Sequence, residues 1–310
     1  MKKEIPAIEI GEKNSCLLVG NGINLLFGES AWQDLIVDEL KTSHSHLSYE
    51  DIREMPATMQ IVVATGNKVS TQMKNLSEKL MKVSLSDERI AFLKEILALP
   101  TDDILTANYS FELEASDGMK IQKRQYSAKL RNTFDLQSRH KRFRLYQYYE
   151  TQAGKRIWHV HGDAAKPETM MMGHYYYAKQ LSDMQTCIAK AVKRFKIREK
   201  NGEPFQTYSW IDRFLISDVY ILGLGMYLCE SDLWYLLCCK KRNFPETKVF
   251  FYDKDCDRKD VCMMLQAYGV QLINGEALKV EQSGGPEAYK EFYRKALQDI
   301  RRRSGDSDQC

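Results

Sequence analysis

The sequence contains no apolar run approaching the roughly eighteen residues that a membrane span needs. Its first residues, MKKEIPAIEIGEK, place Glu4 and Glu9 where a signal peptide would be continuously apolar, so a cytoplasmic protein without a membrane partner is expected. CxxC pairs are also absent. The eight cysteines, at 16, 187, 229, 238, 239, 256, 262 and 310, read as reduced thiols, and no structural zinc or other metal is expected. Charge of one sign is lacking too: 45 basic against 42 acidic residues leave +3, which gives no global attraction to a polyanion. There is no internal repeat, and the one biased segment is the polar tail RRRSGDSDQC from Arg301, which should fray.

What is present suits a folded α/β chain. A length of 310 residues with 44% hydrophobic content can bury a full core, and a single domain over about 1–300 is the expectation. Short apolar runs bounded by Gly, Asn or Asp alternate with helical stretches, the pattern of a Rossmann-like parallel sheet flanked by helices. Six strands are predicted: Ser15–Val19, Asp103–Thr106, Arg156–Val160, Asp218–Leu222, Lys248–Tyr252 and Val270–Ile273. Roughly eighty residues separate the first two, far more than a minimal crossover of about a dozen, so a helical insertion at about 42–100 is predicted. Trp32–Leu40 and Asp87–Leu99 carry helical periodicity, the latter with an N-cap near Asp87 and Pro100 past its end. A second helical insertion, about 174–215 and broken by Asn201-Gly202-Glu203-Pro204, completes the expected cap.

The candidate chemistry lies at strand ends. LLVGNGINLLFG puts Gly20 and Gly22 directly after the first strand, a dinucleotide cue weakened by Leu25 in place of a third glycine. A turn that merely needs glycine explains the loop equally well. DILTANYSFELE ends a strand in Thr106 and Asn108; the carboxamide either faces a ligand or caps the next helix. IWHVHGD supplies His159 and His161, which are not read as a metal pair; His161 precedes Gly162, which allows a turn and the close approach of a substrate, and its imidazole suits a general base. VYILGLGMYLCESDLW offers Gly223 and Gly225 ahead of a helix opened by Glu230, Ser231 and Asp232, and KVFFYDKD ends in Asp253, a carboxylate able to accept from ribose hydroxyls or to sit in a solvated turn.

With those residues in view, the chain resembles the SIR2-like domain family, the sirtuin-related group of bacterial NAD⁺-consuming defence proteins. GNGIN resembles its first glycine loop, LTANYS its Thr-x-Asn segment, WHVHGD its His-Gly segment and ILGLGMYLCESDL its late glycine and acidic stretch, in matching order from about Cys16 to Asp255. The resemblance implies an NAD⁺ glycohydrolase that gives nicotinamide and ADP-ribose, in anti-phage defence. It implies that Asn108 positions the ribose or attacking water and that His161 is the base. Gly20, Asn21, Gly22, Asn24 and Thr106 would hold the pyrophosphate and nearby ribose, Gly223 and Gly225 would line the same cleft, and Asp253 would contact the adenosine ribose. Ser110 and Ala107 depart from the family's usual acidic residue and Thr or Gln, so the alternative is an NAD⁺ or ADP-ribose sensor that signals to a partner protein. The missing CxxC pairs speak against deacetylation. A homo-oligomer or a separate activating chain is the implied mode of control.

Other features take plainer readings. The basic stretches from Arg139 and Lys190 alternate with aromatic or apolar residues, as in nucleic-acid binders, but amphipathic helices with solvated charges account for them and no direct nucleic-acid partner is expected. His44-Ser45-His46 reads as a surface turn, Cys238 and Cys239 as buried thiols, and the aromatics of MMMGHYYY at 170–177 as packing of a cap helix, the alternative being that the segment lines the nicotinamide side of the cleft.

Overall fold

The six apolar segments form strands in a computed structural model that describes residues 14–28, 50, 51, 54–56, 58–60, 63, 69–120, 143–280 and 285–305. The sheet has seven strands: β1 (Ser15–Val19), β2 (Asp103–Thr106), β3 (Tyr149–Glu150), β4 (Arg156–His159), β5 (Asp218–Leu222), β6 (Val249–Tyr252) and β7 (Gln271–Ile273), in the order β3-β4-β2-β1-β5-β6-β7. All pairs are parallel except β3 with β4. The antiparallel β3 was not expected, because two residues carry no readable alternation. Without β3 the order is that of a doubly wound Rossmann sheet, with its switch point between β1 and β5.

Strand alternation sends side chains to two helical layers. Leu17, Val19, Ile104 and Tyr220 pack with Phe92, Leu93 and Ile96 of α3 (Asp87–Leu97) and with Phe292, Leu297 and Ile300 of α10 (Pro286–Gly305). Cys16, Leu18, Leu105 and Trp158 pack on the other face against α6 (His174–Asn201), α7 (Trp210–Ile216), α8 (Ser231–Asn243) and α9 (Lys259–Ala267). Ser86 caps α3 by accepting from the Arg89 amide, and Asp87 and Glu88 fill its first turn. Helix α6 ends at Gly202 in a left-handed C-cap, where the expected break falls.

The two insertions are therefore only partly caps. Helix α3 covers the sheet, and α6 does so through Met184, Ile188, Ala191 and Phe195. The elements at the carboxyl ends of the strands are α2 (Val69–Leu80), whose Ser77 hydroxyl donates to the Ala164 carbonyl at 2.6 Å, and Thr58, paired with His174 at 3.3 Å. Lys190, Lys193, Lys196 and Lys200 of α6 are exposed while Ala191 and Phe195 are buried, an amphipathic face with solvated charge. The tail does not fray at Arg301: α10 continues to Gly305 because Arg302 and Arg303 pair with Asp299, three and four residues back. The predicted helix at Trp32–Leu40, the 44–46 turn and residues 139–142 lie outside the described residues. Among the described residues no helix is long and apolar enough to cross a membrane.

At the amino-terminal edge, Asp103 is fully buried and accepts from Arg156 Nε at 2.6 Å, Arg213 Nε at 2.5 Å and Trp158 Nε1 at 2.8 Å. Burial pushes its carboxyl up, but Arg156 and Arg213 outweigh it and hold the pKa below the ordinary value. This network ties β2, β4 and α7 together on the edge remote from the candidate chemistry.

Candidate functional site

Strand register brings the candidate residues to one rim. Val19 pairs with both Thr106 and Leu222, Thr106 with His159, and Leu222 with Tyr252. Gly20, Asn108, His161, Gly223 and Asp253 each follow one of these residues by one or two positions, so all leave the sheet at its carboxyl edge, on both sides of the switch point.

The glycine loops meet each other there. The Gly20 and Gly22 amides donate to the Leu222 and Gly223 carbonyls at 3.0 and 2.7 Å. A methyl group at Gly20 would stand 2.5 Å from the Gly223 carbonyl oxygen and 2.6 Å from Leu224 Cα. Gly223, at φ +66°, is equally closed in by the Ile23 amide. Glycine is thus required by loop-on-loop packing, and these two amides are already committed within the protein. Gly225 is covered by the Tyr227 ring. The helix after the first loop, α1 (Gly22–Leu25), has Asn21 at its N-cap position without a side-chain cap bond. Asn24 is buried and donates to Asn21 Oδ1 at 2.9 Å and Glu112 Oε1 at 3.3 Å, while its own Oδ1 has no partner among the described residues.

Asn108 does not cap the next helix, α4 (Glu112–Ser116), whose N-cap is Phe111. The Thr106 hydroxyl accepts from the Asn108 amide at 3.1 Å and shapes the turn, leaving the half-buried carboxamide at the rim. The Asn108 carbonyl is held by His159 Nδ1 at 2.8 Å, and His159 Nε2 meets Glu114 Oε1 at 2.8 Å. Both partners are acceptors, so the geometry calls for the doubly protonated imidazolium. Burial alone would lower its pKa; Glu114 and the Asn108 carbonyl outweigh burial and raise it. His159 is thereby a structural clamp under the Asn108 turn. Ser110, at the position where the resemblance leads one to expect an acid, donates to Glu112, which Arg89 also approaches at 3.5 Å.

His161 leaves the sheet differently. Strand β4 ends at His159, and Gly162, at φ +84°, turns the chain so sharply that a methyl there would lie 2.1 Å from the Thr169 carbonyl oxygen. The close approach expected at Gly162 is thus to the protein's own backbone, not to a substrate. The turn directs His161 to the α6–α8 face, where Nε2 lies 3.1 Å from Asp232 Oδ2 and the Tyr177 ring packs edge-on at 5.7 Å. His161 is 3% exposed and Asp232 fully buried. Glu230 stands in the same wall; burial pushes its carboxyl up to about 7, with His161 opposing the rise. The 170–177 segment flanks this site: the Met171 amide donates to the His161 carbonyl at 2.9 Å, and Met171 in turn accepts from the Tyr109 hydroxyl at 2.8 Å.

Asp253 sits half-buried at the tip of β6, with Oδ1 accepting from the amides of Asp255 and Cys256 at 3.3 and 3.4 Å. It is a turn former. Among the described residues no group of three His, Cys, Asp or Glu is arranged to hold a metal ion, and seven cysteines are free, Cys238 being exposed, not buried. In the sequence Asp232 reads only as part of a helix opening, Tyr177 only as one aromatic of the 170–177 segment, and Glu114 carries no reading. Asp232 reads as an ordinary acid in a helix's first turn, and only the fold brings it to a histidine 71 residues away. No family model matches the chain, and no curated protein matches it.

Proposed function

We propose that the chain binds NAD⁺ across the β1/β5 switch point and cleaves the nicotinamide–ribose bond, as the SIR2-like resemblance implies. The observation that carries this reading is the register that sets Asn108 and His161 two residues beyond the paired strand ends Thr106 and His159, at the carboxyl edge where doubly wound sheets take nucleotides. In the reaction, a bond forms between water oxygen and ribose C1′ while the C1′–N bond breaks. Nicotinamide leaves neutral with the electron pair, through an oxocarbenium-like transition state. The Asn108 carboxamide orients the water or ribose, and His161 takes the water proton. Because the Gly20 and Gly22 amides are committed to the other loop, the pyrophosphate falls to other groups on this rim.

Purified protein incubated with NAD⁺ should release nicotinamide and ADP-ribose, followed by chromatography. His161→Ala should lower turnover by about 10²–10⁴-fold, the contribution of a positioned base, and Asn108→Ala should lose most turnover while keeping the fold. Near-normal turnover in His161→Ala would sink the assignment. The burial of His161 favours a second reading, a sensor that binds NAD⁺ or ADP-ribose without turnover and acts on a partner protein; bound but uncleaved NAD⁺ is its signature. The proposed role in defence, control by oligomerisation or an activating chain, and a cytoplasmic location rest on the resemblance.

A further inference from the structure

We propose that Glu112 is a positioning residue that joins the Asn108 turn to the first glycine loop, so that the groups leaving β1 and β2 keep one spacing. This rests on the reading of Asn108 as the group that orients the water or ribose. Glu112 opens α4, and its Oε1 accepts from the Ser110 hydroxyl and from Asn24 Nδ2 at 3.3 Å, with the Arg89 guanidinium of α3 at 3.5 Å. Asn24 passes the link on, because the same Nδ2 donates to Asn21 Oδ1 at 2.9 Å, inside the loop that follows β1. Asn21, Asn24, Glu112 and Ser110 thus form one chain of hydrogen bonds from that loop to a point two residues past Asn108.

Helix α4 does not itself require a buried acid at this position. A first-turn carboxylate serves the helix dipole from solvent just as well, and Glu114 lies in the same turn. Yet Glu112 is 7% exposed, and burial pushes its carboxyl up against the opposing bonds from Ser110 and its own amide and the nearby Arg89 charge. Asn24 is buried as well, and both bonds from its Nδ2 end on acceptors, which fixes the orientation of the carboxamide. Helix α4 has five residues and no side-chain cap at Phe111, so cross-links to its neighbours decide where it sits. His159, bonded to the Asn108 carbonyl at 2.8 Å, sets the turn against β4; Glu112 sets it against the loop after β1.

The test is nitrogen NMR of asparagine-labelled protein, with Asn21, Asn24 and Asn108 each assigned by the loss of its signals on substitution. In Glu112→Ala the Asn24 carboxamide hydrogens should exchange with solvent about tenfold faster or more, and the backbone amide signals of Asn21 and Asn108 should both shift. Glu112→Gln keeps an acceptor oxygen in place and should return all three residues close to wild type. With NAD⁺ as substrate, kcat per folded molecule should fall by about 10²-fold in Glu112→Ala, the cost of displacing a positioned group by about 1 Å, and should largely recover in Glu112→Gln. In an Asn108→Ala background Glu112→Ala should cost no further turnover, whereas a purely structural loss would add to it. Unmoved Asn108 signals in Glu112→Ala, a Glu112→Gln protein that behaves as Glu112→Ala, or full additivity with Asn108→Ala overturns the proposal. Ser110→Ala, which cuts the chain of bonds at its other end, serves if Glu112→Ala does not fold: Asn108 signals should shift there, and unmoved ones overturn the proposal equally. Should wild type leave NAD⁺ intact, the glycohydrolase reading fails, while the nitrogen spectra still decide whether Glu112 ties the Asn108 turn to the first loop.

Discussion

Replacing Gly20 with alanine separates two explanations of the glycine loop. If glycine were there only to let a pyrophosphate approach, Gly20→Ala would fold as wild type and lose affinity for NAD⁺. The geometry demands otherwise, since the new methyl would stand 2.5 Å from the Gly223 carbonyl oxygen and 2.6 Å from Leu224 Cα, about 1 Å inside ordinary contact. Both neighbours are backbone atoms and cannot swing away as a side chain would. The cost therefore falls at the upper end of overpacking, about 3 kcal/mol. At roughly 2 °C per kcal/mol for a chain of this length, the Tm of the ligand-free protein should drop by about 6 °C. Calorimetry without nucleotide checks this directly. A Gly20→Ala protein that melts with wild type and is impaired only in NAD⁺ binding would refute the packing argument.

Two further predictions concern buried charge. Asp103→Ala leaves Arg213, which is fully buried, and Arg156 without their shared carboxylate, and should cost about 3–5 kcal/mol in denaturant unfolding; a loss under about 1 kcal/mol would mean that the network carries little of the fold. His159 is held above its ordinary pKa of 6.5, so the folded chain keeps a proton that the unfolded chain releases. Its stabilisation is full below pH ~6.5 and is lost as pH rises through the folded value. The Tm gap between wild type and His159→Gln should thus be widest in mild acid and narrow toward alkaline pH, and a gap that widens with pH would contradict the imidazolium assignment.

The sheet was legible because its strands are covered on both faces, and a segment such as SCLLV can be little else between polar flanks. Six strands were placed to within a residue at each end, and Asn108, His161 and the glycine loops stand out as candidates because strand ends are where such residues are unusual. Pairing across the fold was not legible. Gly162 looked like room for a substrate, yet the space is filled by Thr169 from the following turn. His159 carries no role in the sequence, because its acceptors, Asn108 and Glu114, lie 51 and 45 residues away, in the turn and helix that follow β2. The antiparallel β3 and the continuation of α10 to Gly305 depend on partners that local periodicity does not report.

The central position of β1 bears on how the molecule is made. Its first neighbour, β2, follows within about ninety residues, but β5, which completes the junction of the two loops, begins 203 residues after Ser15, with Asn14 reaching forward to Ser217 across the same interval. Contacts of such range form late, because closing long loops must precede any reward from them. During synthesis, a nascent chain that has passed His161 but not reached Gly223 holds Asn108 and His161 without Gly223 or Asp232. It therefore has half a rim and no partner for the imidazole. The loop junction and the His161–Asp232 pair thus form together, only after β5 and the start of α8 have emerged.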